Sequence, residues 1–149
     1  AEILPISALN SFNTHVILPK LKEMLPENPP YYDKEMYTDR PERFFVNEAI
    51  REKILLNYDK EIPYAVEVVT EQFKEKEGAI VIDSIIYVER DTQKGIIIGH
   101  KGEMIKKVGT EARIDLEKFF GKKIHLSLFV KVKKDWRKND RDLKNFGYR

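Results

Sequence analysis

Two glycines bracket a histidine and a lysine inside one long segment, KGIIIGHKGEMIKKVGTEARIDLEKFFG, residues 94–121. Gly99-His100-Lys101-Gly102 interrupts a pattern that is otherwise helical, so the spacing predicts a short helix near 93–98, a tight turn and a long helix over 102–120. Ile105, Val108, Ala112, Leu116 and Phe119 mark the buried stripe of the long helix, and Gly121 stops it. Beyond Gly121 the period changes from helical to alternating. In residues 123–133, Ile124, Leu126, Leu128, Val130 and Val132 face one way, while Lys123, His125, Ser127, Phe129, Lys131 and Lys133 face the other. That is a strand with one face on a core and one face in water.

Upstream, residues 64–75 and 79–90 are rich in β-branched residues and are separated by a turn candidate, Gly78, which predicts a hairpin. Asp39-Arg40-Pro41-Glu42 reads as a helix start: a capping residue, then a proline and an acid in the first turn. Phe45, Val46, Ala49, Ile50 and Ile54 share one helical face as far as about residue 57. The order from 41 to 133 is therefore α-β-β-α-α-β, an α+β fold with a three-stranded sheet and helices on one face. Before it, residues 2–9 read as the end of a short strand running into a loop. Ile17, Leu21 and Leu25 form a weak helical stripe that contains Pro19, so the helix is expected to start near Pro19 or to be distorted there. Three prolines in Pro26-Glu27-Asn28-Pro29-Pro30 predict a linker over 26–38. The last stretch, 134–149, is basic and aromatic. Its Trp136 is expected to pack on the domain, while Phe146 and Tyr148 are open to either packing or base stacking.

A chain of 149 residues has room for one domain and a small appendage. It has no cysteine, which excludes disulfides, thiol nucleophiles and cysteine-ligated metals. His15, His100 and His125 lack metal-ligand spacing. Asp83, Asp91 and Asp115 show no paired-carboxylate spacing for acid–base work. No apolar run approaches the roughly 20 residues of a membrane span, and AEILPISALN has no signal-peptide pattern; both fit the cytoplasm. The net charge of +2 hides an asymmetry. Residues 1–93 hold 11 Lys/Arg against 18 Asp/Glu, whereas residues 94–149 hold 16 against 7. A basic half that also holds the Gly-rich turn points to an anionic partner, most often nucleic acid.

The turn supplies the chemistry such a partner needs. Two glycines let a backbone approach a phosphodiester closely, and the second helix starts there with free N–H groups and the positive end of its dipole. Lys101 adds a cation, with Lys106 and Lys107 on the following turns. Ile96, Ile97 and Ile98 can pack in the core or line an apolar floor for bases. A GxxG alone is a common helix–helix turn. With IIIG before it, helices on both sides and three strands in order, it resembles a type II KH domain, over about residues 41–133. That resemblance implies a clamp on about four nucleotides of single-stranded RNA. Gly99, His100, Lys101 and Gly102 would form the clamp, Lys94, Lys106 and Lys107 would supply longer-range attraction, and bases would lie over Ile97, Ile98 and the adjacent strand.

DRPERFFVNEAIREKIL, IPYAVEVV, IYVERDTQKGIIIGHKGEMIKKVGTEAR and LFVKVKKDWR...LKNFGY, with the junction LPENPPYY, further resemble the C-terminal half of the Era family of bacterial ribosome-assembly GTPases. Ser7-Ala8-Leu9 resembles the last guanine motif of Ras-like GTPases. The resemblance implies a four-part division: a remnant of an α/β GTPase domain over 1–25, the linker over 26–38, the KH domain over 39–133 and the tail over 134–149. It also implies binding to the 3′ end of 16S rRNA during 30S maturation, in the cytoplasm with peripheral contact at the inner membrane. GxxxxGK[ST], the aspartate-glycine switch motif and NKxD do not occur, so no enzyme activity and no cofactor is expected of these residues. GTP and Mg would belong to a longer relative. Two other readings compete: a GTP hydrolase in its own right, which the missing phosphate cradle opposes, and a KH-like protein-docking module, which the intact GxxG and the basic second half oppose.

Overall fold

The computed structural model describes residues 3–29 and 41–147, which fall into two units divided after residue 39. In the first unit, residues 3–6 join no strand. Ser7 and Phe12 form an isolated bridge with reciprocal backbone hydrogen bonds of 3.1 and 3.0 Å around a turn. The strand end expected within 2–9, ahead of its loop, is thus absent from the described residues, since a strand needs a neighbour and the described residues of this unit offer none. Helix α1, Ile17–Met24, does form. Pro19 is its third residue, inside the first turn where a missing N–H costs no intrahelical bond. Residues 26–29 have no regular structure, as a linker requires; the rest of the expected linker and the Asp39 cap lie outside the described residues.

The second unit follows the expected order. Helix α2 spans Glu42–Asn57 with Pro41 at its N-cap. Strands β1, Glu67–Lys76, and β2, Ala79–Val88, form an antiparallel hairpin through the two-residue turn Glu77-Gly78, where Gly78 has φ +76°. Helix α3, Asp91–Ile98, and helix α4, Glu103–Phe120, lead to β3, Lys123–Val132, which pairs parallel to β2 and completes a sheet of order β1-β2-β3. The register sets Ile80 beside Ile124, Ile82 beside Leu126, Ser84 beside Leu128 and Ile86 beside Val130, so alternate residues of both strands face the helices. Against them α2 buries Val46, Ile50 and Ile54, α3 buries Ile97, and α4 buries Val108, Ala112 and Leu116. Each larger aliphatic side chain among these is worth about 1.5–3 kcal/mol of burial. Where β1 bulges between Thr70 and Gln72, Ser84 and Thr70 share a buried hydroxyl pair at 2.9 Å, and Thr70 donates to Asn47 Oδ1 at 2.7 Å.

The tail packs on this unit. The Lys133 N–H donates to the Val88 carbonyl at 2.8 Å, and Trp136 is buried edge-on to Phe146, with ring centres 5.3 Å apart. Phe146 in turn lies 5.4 Å from the Tyr87 ring, with the Lys133 ammonium 4.7 Å above its face. Arg137 pairs with Glu89, and Asn139 caps the short helix α5, Asp140–Asn145. Trp136 and Phe146 are packing residues; Tyr148 lies outside the described residues.

Candidate nucleic-acid interface

The sequence places a helix, a four-residue loop and a second helix in the crossover between the parallel strands, and the geometry of that loop is specific. At the start of α3, Gln93 Oε1 accepts from the backbone N–H of Glu89 at 2.9 Å and Arg90 at 3.0 Å, as in half of a capping box. At its end, the Gly99 N–H closes the last turn onto Gly95 O at 2.9 Å. The backbone then swings out at Gly99, with φ +72° and ψ −178°, a region essentially reserved for glycine. A Cβ on Gly99 would lie 2.6 Å from Met104 Cγ and 2.7 Å from Met104 Cβ, so the loop closes directly onto α4. Lys101, at φ +50°, and Gly102, at φ +82°, are both left-handed. The Gly102 N–H returns to Gly99 O at 3.3 Å, and the Glu103 N–H caps on His100 O.

This wiring leaves the tip open. Among the described residues, no backbone carbonyl accepts from the N–H of His100 or Lys101, and both side chains are exposed. A lysine held left-handed carries roughly 1–2 kcal/mol of conformational cost, which the two flanking glycines and the α4 cap impose. The tip adjoins the N-terminus of an 18-residue helix, so unpaired donors and a positive dipole end converge there. Glu103 offsets part of that field from the first turn. Lys106 and Lys107 project one turn further along, and Lys107 has Glu111 at 4.0 Å, an exposed pair of little energetic weight.

A groove of about 270 Å³ lies between α4 and β3, beginning at Ile105 in the first turn of α4. Ile105, Lys106, Gly109, Thr110 and Arg113 form one wall and Leu126 and Leu128 the other. Gly109 makes it possible, since a Cβ there would already touch Leu128 Cδ1 at 3.4 Å. The groove corrects one expectation. Ile97 is fully buried in the core and cannot floor a base site; of the three isoleucines, Ile96, exposed, and Ile98, half-buried, reach the surface. Lys94 is half-buried on α3, and Lys106 is the predicted cation that lines the groove. Sequence reasoning missed Ile105, Gly109, Thr110, Arg113, Leu126 and Leu128 as a site. One signal was present: a glycine in mid-helix, spaced four residues from Ile105 and from Arg113. A larger depression, about 650 Å³ between α2 and the tail, shares no residue with the loop. In the first unit, Ser7 Oγ accepts the Asn10 N–H at 3.3 Å, Ala8 accepts from Ser11, and Leu9 is almost fully exposed.

The sequence pattern of the KH domain matches residues 61–137, more than half of the chain. The chain belongs to the KH-domain family. The match takes in the GxxG loop, both of its helices, all three strands and the first turn of the tail. Beyond the KH region, the similarity extends over nearly the whole chain. GTPase Era of Syntrophus aciditrophicus is 53% identical over 99% of this chain, and GTPase Era of Geotalea daltonii is 49% identical over 99%. The chain spans about half the length of these curated relatives, 49% and 50%. Among solved structures, Aquifex aeolicus Era bound to GDP and aluminium fluoride superposes with a TM-score of 0.92 at 36% identity, covering 99% of this chain and 50% of that one. A second Era structure, in complex with MgGDPNP and nucleotides 1506–1542 of 16S ribosomal RNA, also superposes with a TM-score of 0.92 at 36% identity, over the same shares. The KH domain here is thus similar to that of these Era proteins, with the sheet and helices that the α-β-β-α-α-β order implied.

Proposed function

We propose that this KH domain binds single-stranded RNA, specifically the 3′-terminal segment of 16S rRNA during 30S assembly, as part of an Era-type GTPase. The observation that carries the reading is the open tip: two N–H groups with no backbone acceptor at the start of a long helix, whose next turns wall a groove lined by polar and apolar side chains alike, in a fold that superposes on an Era bound to such an RNA. Phosphates dock on Gly99–Gly102 and the start of α4, Lys94, Lys106 and Lys107 supply attraction that salt screens, and bases enter the groove over Ile105, Leu126 and Leu128. Residues 1–25 are the end of a GTPase domain, and Ser7-Ala8-Leu9 touch guanine only when the rest of such a domain is present. The chain itself holds no GTP or Mg and hydrolyses none, because no phosphate-cradling motif lies within it. Calorimetric titration with GTP and Mg is expected to be silent; a tight one-to-one isotherm refutes that part.

The test of RNA binding is the double substitution His100→Asp with Lys101→Asp. It sets two carboxylates where phosphates dock and removes a cation, at about 1 kcal/mol per surface charge contact, so binding is expected to weaken roughly a hundredfold. Both side chains are exposed, so the melting temperature stays put. Fluorescence anisotropy with a short RNA from the 3′ end of 16S rRNA reads the outcome. Unchanged affinity in a normally folded variant reduces Gly99–Gly102 to a plain turn.

A further inference from the structure

The end of α3 is held from an unexpected quarter. Tyr58 is the first residue beyond α2, with extended backbone at φ −126° and ψ 153°, and its own N–H closes the last turn of α2 onto Ile54 O at 3.1 Å. Its ring lies in the core, and its hydroxyl donates to the backbone carbonyl of Ile97 at 2.6 Å in a buried site. Ile97 is 39 residues away and stands two positions before Gly99. Its carbonyl belongs to the last turn of α3, where helical partners run out because the chain leaves the helix at Gly99. Burial pushes the phenol up to about 12, so it remains a proton donor throughout the neutral range.

We propose that Tyr58 is a positioning residue for the RNA-binding loop: its hydroxyl ties the last turn of α3 to the end of α2 and so fixes where the backbone hands over to Gly99. This rests on the RNA-binding reading above. The loop tip presents backbone donors beside the Lys101 cation, and backbone donors work only if the backbone is held in place. Gly99 has no side chain with which to anchor itself, and α3 is only eight residues long. The Ile97 carbonyl is where this turn is hydrogen-bonded to the residue that follows α2, and Tyr58 makes the bond.

The experiment is Tyr58→Phe in the full chain, which keeps the ring and deletes the hydroxyl. Ile54→Val, which trims the same core from α2 and leaves the Tyr58 hydroxyl in place, serves as the stability control. Three readouts are compared well below both melting temperatures: backbone amide chemical shifts, affinity for the 16S 3′ RNA, and the slope of log affinity against log salt. Tyr58→Phe is expected to shift amides at Gly99–Met104, to weaken binding about tenfold, and to flatten the salt slope by about 0.7 for each phosphate no longer engaged. Ile54→Val is expected to change none of the three. Loop amides that stay in place in Tyr58→Phe, or a control whose affinity falls equally, overturn the proposal. If the unsubstituted chain binds no RNA, it is the functional reading that fails, and the tether is then decided by the loop amides alone.

Discussion

Gly99→Ala separates the backbone requirement of the loop from everything its side chains do. The added methyl would sit 2.6 and 2.7 Å from Met104 Cγ and Cβ and 3.1 Å from the Met104 nitrogen. None of these is the movable end of a side chain, so relief requires a shift in the first turn of α4, an overpacking cost of about 1–3 kcal/mol. The conformation at φ +72° and ψ −178° adds another 1–3 kcal/mol or so for a residue with a Cβ. Together these amount to about 2–6 kcal/mol against a total domain stability of about 5–15 kcal/mol. At roughly 4–8 °C per kcal/mol for a domain of this size, the melting temperature falls by about 10 °C or more. Two neighbours calibrate the result. Gly102→Ala meets nothing within 4 Å and carries only the left-handed cost, about 1–2 kcal/mol. Gly95→Ala lies in α3 with open space around it and gains up to about 1 kcal/mol of helix propensity. Thermal and urea melts should therefore rank Gly95→Ala above the unsubstituted chain, then Gly102→Ala, then Gly99→Ala. Combining Gly99→Ala with Met104→Ala should not restore stability, because the Met104 Cβ remains. A Gly99→Ala protein that melts within about 2 °C of Gly102→Ala refutes the close approach of loop and helix.

Gly109→Ala is expected to raise the melting temperature by several degrees while narrowing the groove, so its RNA affinity falls several-fold; a rise in both stability and affinity would place the bases elsewhere. The Arg137 guanidinium beside Glu89 holds that carboxyl below its usual range, so the pair's contribution is present above the unfolded carboxylate value near 4.3 and vanishes as pH falls through the lower folded value. Glu89→Gln should therefore melt lower than the unsubstituted chain at pH 7, with the gap closing as the pH approaches 3; a gap constant with pH would show that the ion pair contributes nothing to tail docking. Ile3, Leu9, Leu18 and Met24 are largely exposed in the first unit. Amides of residues 3–29 are therefore expected to exchange quickly while β2 and α4 stay protected, and equal protection of both would mean that the apolar face has found a partner.

The parts of the fold that could be read from the sequence are those whose signal is local. The alternation from Ile124 to Val132, Gly78 between two β-rich runs, and the glycines bracketing His100 and Lys101 each fix a conformation within a few residues. Ile97 shows where local signals end. Three consecutive isoleucines leave a helix in three directions about 100° apart, and only packing against the core decides that Ile97 points inward and Ile96 outward. The groove was hidden for a related reason. Its walls come from positions 105–113 and 126–128, and the half-buried Leu126 and Leu128 look like ordinary core residues until α4 is laid across β3 with Gly109 at the crossing. Tyr58 carries no motif at all; its role depends on a contact that spans 39 residues. The strand end expected within residues 2–9 failed because a strand is a property of pairs, and the described residues of the first unit supply no second strand.

The parallel pairing of β2 with β3 also sets the order in which the molecule can be built. Residues 67–88 close on themselves through a two-residue turn, a contact of low sequence separation that forms early. β3 can join only after the whole crossover from Glu89 to Lys122 has been laid across the sheet, and that crossover is the segment containing both helices and the GxxG loop. The groove has one wall in the crossover and the other in the arriving strand, so it does not exist until the final pairing is made. During synthesis the loop leaves the ribosome before the strand that completes its groove. A nascent chain arrested before Lys123 is expected to show a protected hairpin and no affinity for RNA; affinity appears only once residues through Val132 have emerged.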